Sequence, residues 1–304
     1  MTAIVLTDGK AGHENQSRAF ARALGLDVRL VPVHFKSSLC KAFSYLLDQM
    51  NILTTSLLEF ESPREPAKWV IGTGSGTFYA AKALARRFGA RCGVVLYPRG
   101  YRLSTFDCIL APSFDSPSKR PNIVEVPANL VASDPAFYEK GVAAFKERHK
   151  GPMENIVGVI VGGPNKCASL TADWMKARLD EVFAANKGAQ LCVTTSRRTP
   201  ADVEAVVDSY PWAYKLIYSR DRFNPIPAFV QLAKRLYVTA ESTGMLSEAC
   251  TFGSAEVVAL DNLNPGPHKF RRFVSDLRRD GYVDGNRKID LSAQFAAARS
   301  LMGV

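Results

Sequence analysis

"AIVLTDGKAGHENQSRAFARALG", Ala3 to Gly25, decides how the rest of the chain is read. Ala3-Ile4-Val5-Leu6 is an apolar run with no polar alternate position, so it reads as a short strand covered on both faces. A helical pattern is expected from near Glu14, carrying Ala19, Phe20, Ala23 and Leu24 until Gly25 stops it. Between the two stand Asp8, Gly9, Lys10, Gly12 and His13. A strand that enters a helix through a glycine turn is the opening of a βα unit.

Short apolar runs alternate with amphipathic segments along the whole chain. Further strands are expected at Val28–Val33, Trp69–Gly72, Gly93–Tyr97, Cys108–Ala111 and Ile123–Val126, with helices over Leu39–Phe60 and Thr77–Phe88. The second half repeats the style. Its expected strands are Ile156–Val161, Gln190–Thr194, Tyr214–Tyr218, Arg235–Thr239 and Ala255–Leu260. Helices over Asp173–Asn186, Pro200–Ser209, Ile226–Ala233 and Met245–Thr251 fall between them. Such alternation implies parallel sheets with helices on both faces. The fold class is therefore α/β, with two doubly wound Rossmann-like domains facing a cleft. Residues 1–140 form the first and 155–304 the second, which takes the terminal helix. The polar stretch from Ala132 to Asn155 holds a Gly-Pro pair and no strong strand, so it reads as a helix-bearing linker and hinge, with residues 141–154 dividing the two domains.

Composition agrees with a globular chain of about two domains: 304 residues, 47% hydrophobic and 22% charged. No apolar run reaches the roughly 18 residues of a membrane span, and the N-terminus opens on strand-like sequence without a leader. A cytoplasmic protein is expected. The net charge of +10 favours polyanionic partners. Without zinc-finger, RNP or basic-zipper signatures, nucleic acid is not among those expected. The six cysteines form no C-x-x-C pair, and Cys92, Cys108, Cys192 and Cys250 sit in or beside apolar segments, so buried free thiols are expected.

Ligands of open parallel sheets bind beyond the carboxyl ends of the strands. At the first such turn, Gly9 and Gly12 permit close approach, the helix offers free amides, and His13 is placed to take a proton. The "GTGSGTFYAAK" turn, Gly72 to Lys82, departs from a dinucleotide fingerprint at Thr77, yet Gly74 and Ser75 bring a second backbone to the same edge. In "VGGPNKCAS", Gly162, Gly163, Asn165 and Lys166 follow a strand. In "TTSRRTPAD", Thr199 is a candidate N-cap and Ser196, Arg197 and Arg198 project before the helix, where guanidinium groups meet a diphosphate well. In "VTAESTGMLSEA", Ser242 and Thr243 can cap a helix, Gly244 allows close approach, and Glu248 can accept from two ribose hydroxyls.

These motifs together, with Asn224-Pro225, resemble the bacterial branch of the family named after a plant mitochondrial-fission factor. Its bacterial members are regarded as glycosyltransferases of the two-Rossmann GT-B type. The resemblance runs from Thr7 to about Asp280, and "DGKAGHENQS" and "SRRTP" are its distinctive parts. It implies a nucleoside-diphosphate sugar held mainly by the second domain and a glycan or lipid-linked acceptor held by the first. More distantly, the chain is similar to the enzyme that adds GlcNAc to the peptidoglycan lipid intermediate, whose glycine-rich first loop also ends in a histidine. Two departures stand out: "VVLYPRG" lacks a glutamine-aspartate pair before Pro98-Arg99, and Glu241 stands where aspartate is usual.

The expected chemistry is sugar transfer to a cell-envelope or core-oligosaccharide acceptor. His13 is the candidate base, with Asp8 and Glu14 in reserve. Donor-side contacts are expected from Gly163, Asn165, Lys166, Ser196, Arg197, Arg198, Asn224, Pro225, Glu241, Ser242, Thr243, Gly244, Met245, Ser247 and Glu248. Acceptor-side contacts are expected from Gly9, Lys10, Gly12, Gly74 and Ser75. Asp107 and Asp115 form no D-x-D clamp, so metal-independent transfer without a cofactor is expected. The stretch "HKFRRFVSDLRRDG" reads as a basic amphipathic helix that either packs its apolar stripe inward or rests on the anionic inner face of the inner membrane. Two other functions fit the same fold: a non-catalytic scaffold for a membrane-remodelling partner, and a nucleotide-sugar epimerase, which needs acid/base groups that four histidines supply sparingly.

Overall fold

The computed structural model describes residues 1–62, 65–131 and 134–304; the first two residues of the expected hinge, Ala132 and Ser133, lie outside them. The chain divides into two compact units, Met1–Ala132 with Asp290–Val304, and Ser133–Ile289.

In the first unit, β1 (Thr2–Thr7), α1 (Ala11–Ala23), β2 (Asp27–Phe35), α2 (Ser38–Gln49), β3 (Leu58–Phe60), β4 (Trp69–Thr73), α3 (Phe78–Phe88), β5 (Arg91–Val95), β6 (Cys108–Pro112) and β7 (Ile123–Val126) follow in order. The strands lie as β3-β2-β1-β4-β5-β6-β7, parallel except for β3, which runs antiparallel to β2. Period-two geometry divides β1 cleanly: Ile4 and Leu6 join the core with Tyr79 and Leu84 of α3, while Ala3 and Val5 join Ala19 and Phe20 of α1. Both faces are dry, which is why the strand reads as an unbroken apolar run. The helix expected over Leu39–Phe60 ends at Gln49, because Asn51 turns into the left-handed region at φ 60 and the chain then forms β3.

The second unit contains α4 (Pro135–Arg148), β8 (Ile156–Ile160), α5 (Ala172–Ala185), β9 (Gln190–Thr194), α6 (Ala201–Asp208), β10 (Tyr214–Leu216), α7 (Ile226–Leu232), β11 (Ala233–Thr239), α8 (Thr243–Thr251), β12 (Glu256–Leu260) and α9 (Lys269–Arg279). Its sheet is parallel throughout, in the order β10-β9-β8-β11-β12. The helix expected within the linker is α4, which takes up much of residues 141–154 and is begun by Asp134, whose carboxylate accepts from Phe137 N at 2.8 Å. A Cβ at Gly141 would come within 2.6 Å of Pro227, so α4 lies tightly on α7. The basic helix α9 turns its apolar stripe inward: Phe273, Val274 and Leu277 are buried. Among the described residues no helix is long and apolar enough to cross a membrane.

The terminal helix α10 (Ser292–Met302) belongs to the first unit, not the second as its position in the chain suggests. Trp69 Nε1 donates to Met302 O at 2.9 Å, Arg299 Nε donates to Ala23 O at 2.7 Å, and Ala298 and Met302 complete the core around Phe20. Gly93 of β5 makes room for this, since a Cβ there would meet Phe20 at 2.7 Å and Met302 at 2.9 Å. Cys92, Cys108, Cys192 and Cys250 are buried, as expected, and all six cysteines are free. Burial pushes the Cys108, Cys192 and Cys250 thiols up to about 12.

One buried ion pair pins α2 to α3. Lys82 Nζ donates to Asp48 Oδ1 at 2.6 Å and to Arg102 O at 2.8 Å, and Arg102 N donates to Asp48 Oδ2 at 2.6 Å. The ammonium also lies 4.2 Å from the Phe106 ring centre. Burial drives the Lys82 pKa down, against the pull of Asp48. Asp48→Ala strands that cation, so urea denaturation should show a loss of about 3–5 kcal/mol. The double variant Asp48→Leu/Lys82→Met should cost clearly less; an equal or greater loss would mean that the pair is not what stabilises this contact.

Candidate functional site

Each sheet reverses its strand order at one place, and each reversal gathers the sequence's glycine turns. In the first unit the reversal lies between β1 and β4, where Leu6 pairs with Gly72. α1 starts at Ala11 rather than near Glu14, so Gly12 and His13 stand in its first turn. His13 Nδ1 lies 3.1 Å from both Asp8 carboxylate oxygens, and Lys10 Nζ donates to Asp8 Oδ2 at 2.6 Å. Burial works against the Asp8 charge, but the Lys10 hydrogen bond and the charge and hydrogen bond of His13 hold its carboxyl below the usual range. A neutral imidazole that donates from Nδ1 to a carboxylate presents Nε2 as an acceptor. The β4 turn closes over this pair. A Cβ at Gly74, whose φ is +80, would fall 2.4 Å from the His13 ring, and one at Gly76 would fall 2.7 Å from the Asp8 carboxylate. Ser75 accepts from Lys41 Nζ at 3.0 Å. Thr77 fills the space that Gly72 leaves, with a Cβ there only 2.7 Å from Thr77 Oγ1, which explains the broken glycine fingerprint.

The structure separates the three candidate acids and bases of this turn. Asp8 orients His13. Glu14 is spent on Arg18, one turn along α1, at 2.8 Å. Lys10 is tied to Asp8. Gly9 and Gly12 have nothing within 4 Å of an added Cβ, so their openness is toward solvent.

In the second unit the reversal lies between β8 and β11. Here the glycines admit protein. A Cβ at Gly162 would fall 1.8 Å from Glu241 Oε1, and one at Gly163 would fall 2.1 Å from the Arg198 carbonyl oxygen. Gly163 N donates to Glu241 Oε1 at 2.8 Å, Asn262 Nδ2 to Glu241 Oε2 at 2.9 Å, and Arg198 Nη1 to Gly163 O at 3.3 Å. Glu241 thus fastens the β8 turn, and a shorter aspartate would not span to both partners. Asn165 Oδ1 accepts from Cys167 N at 2.7 Å and closes its own turn, while Lys166 is exposed. Thr199 is not the cap of α6: Pro200 takes that position, and Thr199 Oγ1 donates to Gly162 O at 2.6 Å.

Next to this clasp is a pocket of about 290 Å³, at the small end for ligand sites. It brings together Ser196, Arg197, Arg198, Asn224 and Met245, all expected from the sequence. It adds Tyr218, Arg222 and Phe223, which were not. Three arginines and no carboxylate line it. Thr195 Oγ1 joins its two walls, donating to Glu204 Oε1 at 2.7 Å and accepting from Tyr218 N at 2.8 Å. Arg148 stacks behind Phe223 at 4.2 Å. Pro225 is buried as the cap of α7 and shapes the turn without lining the pocket. Ser242 precedes the first turn of α8 without a side-chain cap bond, Thr243 begins that helix, and Gly244 has open space around it. Ser247 donates within α8 to Thr243 O at 2.6 Å. The missed residues follow β10, a carboxyl-end loop that carries no glycine to draw attention.

A family model for mitochondrial fission ELM1 proteins matches residues 11–295. The chain belongs to the mitochondrial fission ELM1 family. The Arabidopsis thaliana mitochondrial fission protein ELM1 is 26% identical over 245 residues, which is 70% of this chain, and the chain spans 56% of the plant protein's length. Among solved structures, UDP-GlcNAc 2-epimerase of Methanocaldococcus jannaschii superposes with a TM-score of 0.55 at 12% identity, covering 99% of this chain and 97% of that one. Arabidopsis thaliana UGT89C1 superposes with a TM-score of 0.52 at 10% identity, covering 99% and 92%. This member of the ELM1 family therefore has the two-sheet α/β architecture of GT-B glycosyltransferases and epimerases.

Glu248, expected from its place in the helix to accept from two ribose hydroxyls, meets helix α4. Its carboxylate accepts from the Tyr138 hydroxyl of α4 at 3.3 Å, and it is not among the pocket's lining residues. Burial raises its pKa from 4.5 to about 6, against the Tyr138 hydrogen bond. Between those two values the folded state binds the extra proton, so stability falls as pH rises from about 4.5 to 6 and stays lower above. Glu248→Gln should therefore raise stability at pH 7 by about 2 kcal/mol. That gain should shrink toward pH 4 in thermal unfolding scans. A gain independent of pH would remove Glu248 as its source.

Proposed function

We propose that this ELM1-family chain is a glycosyltransferase that moves a sugar from a nucleoside-diphosphate donor to an acceptor hydroxyl. The observation that carries the reading is the Asp8–His13 pair at the strand-order reversal of the first unit. A non-catalytic scaffold has no use for an imidazole held by a buried carboxylate with its other nitrogen left to accept. The acceptor hydroxyl gives its proton to His13 Nε2 as its oxygen bonds to the anomeric carbon, and the bond from that carbon to the diphosphate oxygen breaks. Negative charge gathers on the departing diphosphate. Arg197, Arg198 and Arg222 and the first turn of α8 offset it, with Gly244 letting the ligand reach the backbone. Tyr218 and Phe223 supply the flat surfaces that a nucleobase stacks on.

An epimerase reading is favoured by one fact, the similarity of fold to UDP-GlcNAc 2-epimerase. The two reactions differ in outcome: an epimerase returns an isomerised nucleotide sugar without an acceptor, whereas a transferase releases the free nucleoside diphosphate.

Donor binding is read by thermal shift against a panel of nucleoside diphosphates and their sugars. A ligand at one hundred times its dissociation constant should add about 2.7 kcal/mol of stability. His13→Ala and Asp8→Asn should keep that shift and lose transfer by about 10²–10⁴-fold. Full turnover by His13→Ala would end the assignment of the base. Gly244→Ala should keep or raise the unliganded melting temperature, by up to about 1 kcal/mol of helix stability, and reduce the nucleotide shift, since nothing but a ligand would occupy that space. An unreduced shift would place the diphosphate elsewhere.

A further inference from the structure

Helix α2 rests half-buried Tyr45 and Leu47 against the core, but its most buried side chains are polar. Its buried side carries Ser44, which donates to Lys41 O and meets the Tyr101 hydroxyl, and Asp48, which holds Lys82. Its outer side carries Leu39, Phe43, Leu46 and Met50, which are 79%, 54%, 53% and 61% exposed. At 3.6 residues per turn these four fall in one band, opposite Ser44 and Asp48. A surface helix ordinarily does the reverse.

The charge around this band has one sign. Asp48, the helix's lone acid, is buried and paired. Lys36 is exposed just before the helix. At the other end Arg86 Nη1 donates to Asn51 O at 3.0 Å and Arg102 Nη1 to Gln49 O at 3.4 Å. An apolar band on a convex helix, with cations at both ends and no accessible acid on it, matches a soft apolar medium beneath an anionic surface. We propose that the outer face of α2 docks this protein on an anionic lipid bilayer.

The surface is coupled to the candidate site, because Lys41 reaches from α2 to Ser75 in the turn that closes over His13. This extends the transferase reading by naming its acceptor as a lipid-borne hydroxyl compound. The docking itself stands without that reading.

Flotation of the full chain with phosphatidylcholine vesicles, with and without about 30% phosphatidylglycerol, tests the proposal. Binding is expected to the anionic vesicles alone and to weaken as salt rises. Leu39→Ser/Phe43→Ser/Leu46→Ser should lower vesicle partitioning at least about tenfold. The variant's unliganded melting temperature and nucleotide shift should stay those of the wild type, which separates lost docking from lost fold or donor binding. Wild-type protein that stays with the soluble fraction overturns the proposal, as does a variant that floats equally well. A wild-type dimer in sedimentation velocity that the variant breaks also overturns it, and assigns the face to a second copy. Vesicle binding without any nucleotide shift keeps the docking and removes the transferase.

Discussion

Ile4 and Val5 point to opposite faces of one strand, and neither is in contact with water. That constraint governs both units of the molecule. When helices cover both faces of a parallel sheet, polar chemistry is left with the carboxyl ends of the strands. The registers sharpen this. Leu6 pairs with Gly72 and Ile160 with Val238, so the strands flanking each reversal end side by side. Asp8 and Gly74 emerge together in one unit, and Gly162 and Glu241 in the other. Where α1 and α3 leave adjacent strands in opposite directions over the sheet, the gap holds the His13 imidazole.

The glycines at these edges fall into two physical kinds. Gly74, Gly76, Gly162 and Gly163 are filled from within: His13, Asp8, Glu241 and the Arg198 carbonyl occupy the volume a side chain would need. Gly12 and Gly244 face empty space in the first turns of their helices, where no left-handed backbone requires glycine. Glycine costs a helix about 1 kcal/mol relative to alanine. An open, helical glycine at a strand-order reversal is therefore a concession that internal packing does not demand. Under the proposed function, close approach of a guest to the helix amides accounts for it.

Much of this was legible in the sequence because burial on both faces writes itself as continuous apolar runs. The strands at Ala3–Leu6, Trp69–Gly72 and Ile156–Val161 could be placed within a residue or two for that reason. The assignment of His13 to a strand-end turn needed only the order of elements. Its pairing with Asp8 did not follow, since five residues of separation become contact only after the turn geometry is fixed. Short β3 was hidden by an apolar pattern that α2 and its following loop share. Phe223 and Arg222 were passed over because their loop has no glycine signal. The destination of α10 was hidden most deeply: a helix at the end of the chain carries no mark of which sheet it will cover, and only the gap at Gly93, the carbonyl of Met302 and the indole of Trp69 decide it.

Amphipathic helices expose a related limit. Sequence period locates an apolar stripe but not the direction in which it faces, and α9 and α2 resolve that ambiguity in opposite ways. In α9 the stripe of Phe273 and Leu277 goes inward, and its cations are taken up at the surface: Arg278 pairs with Asp284 and Arg279 with Asp276 and Asp280. In α2 the direction is forced by Lys82. An ammonium fully enclosed between Phe106 and Tyr101 has to meet a carboxylate, and α2 is the element that brings one. Turning α2 to bury Phe43 and Leu46 would withdraw Asp48 and leave that cation unpaired, at a cost exceeding what two apolar side chains return. The exposed stripe is thus not a packing failure that a small rotation would repair. It is held outward by the buried pair behind it.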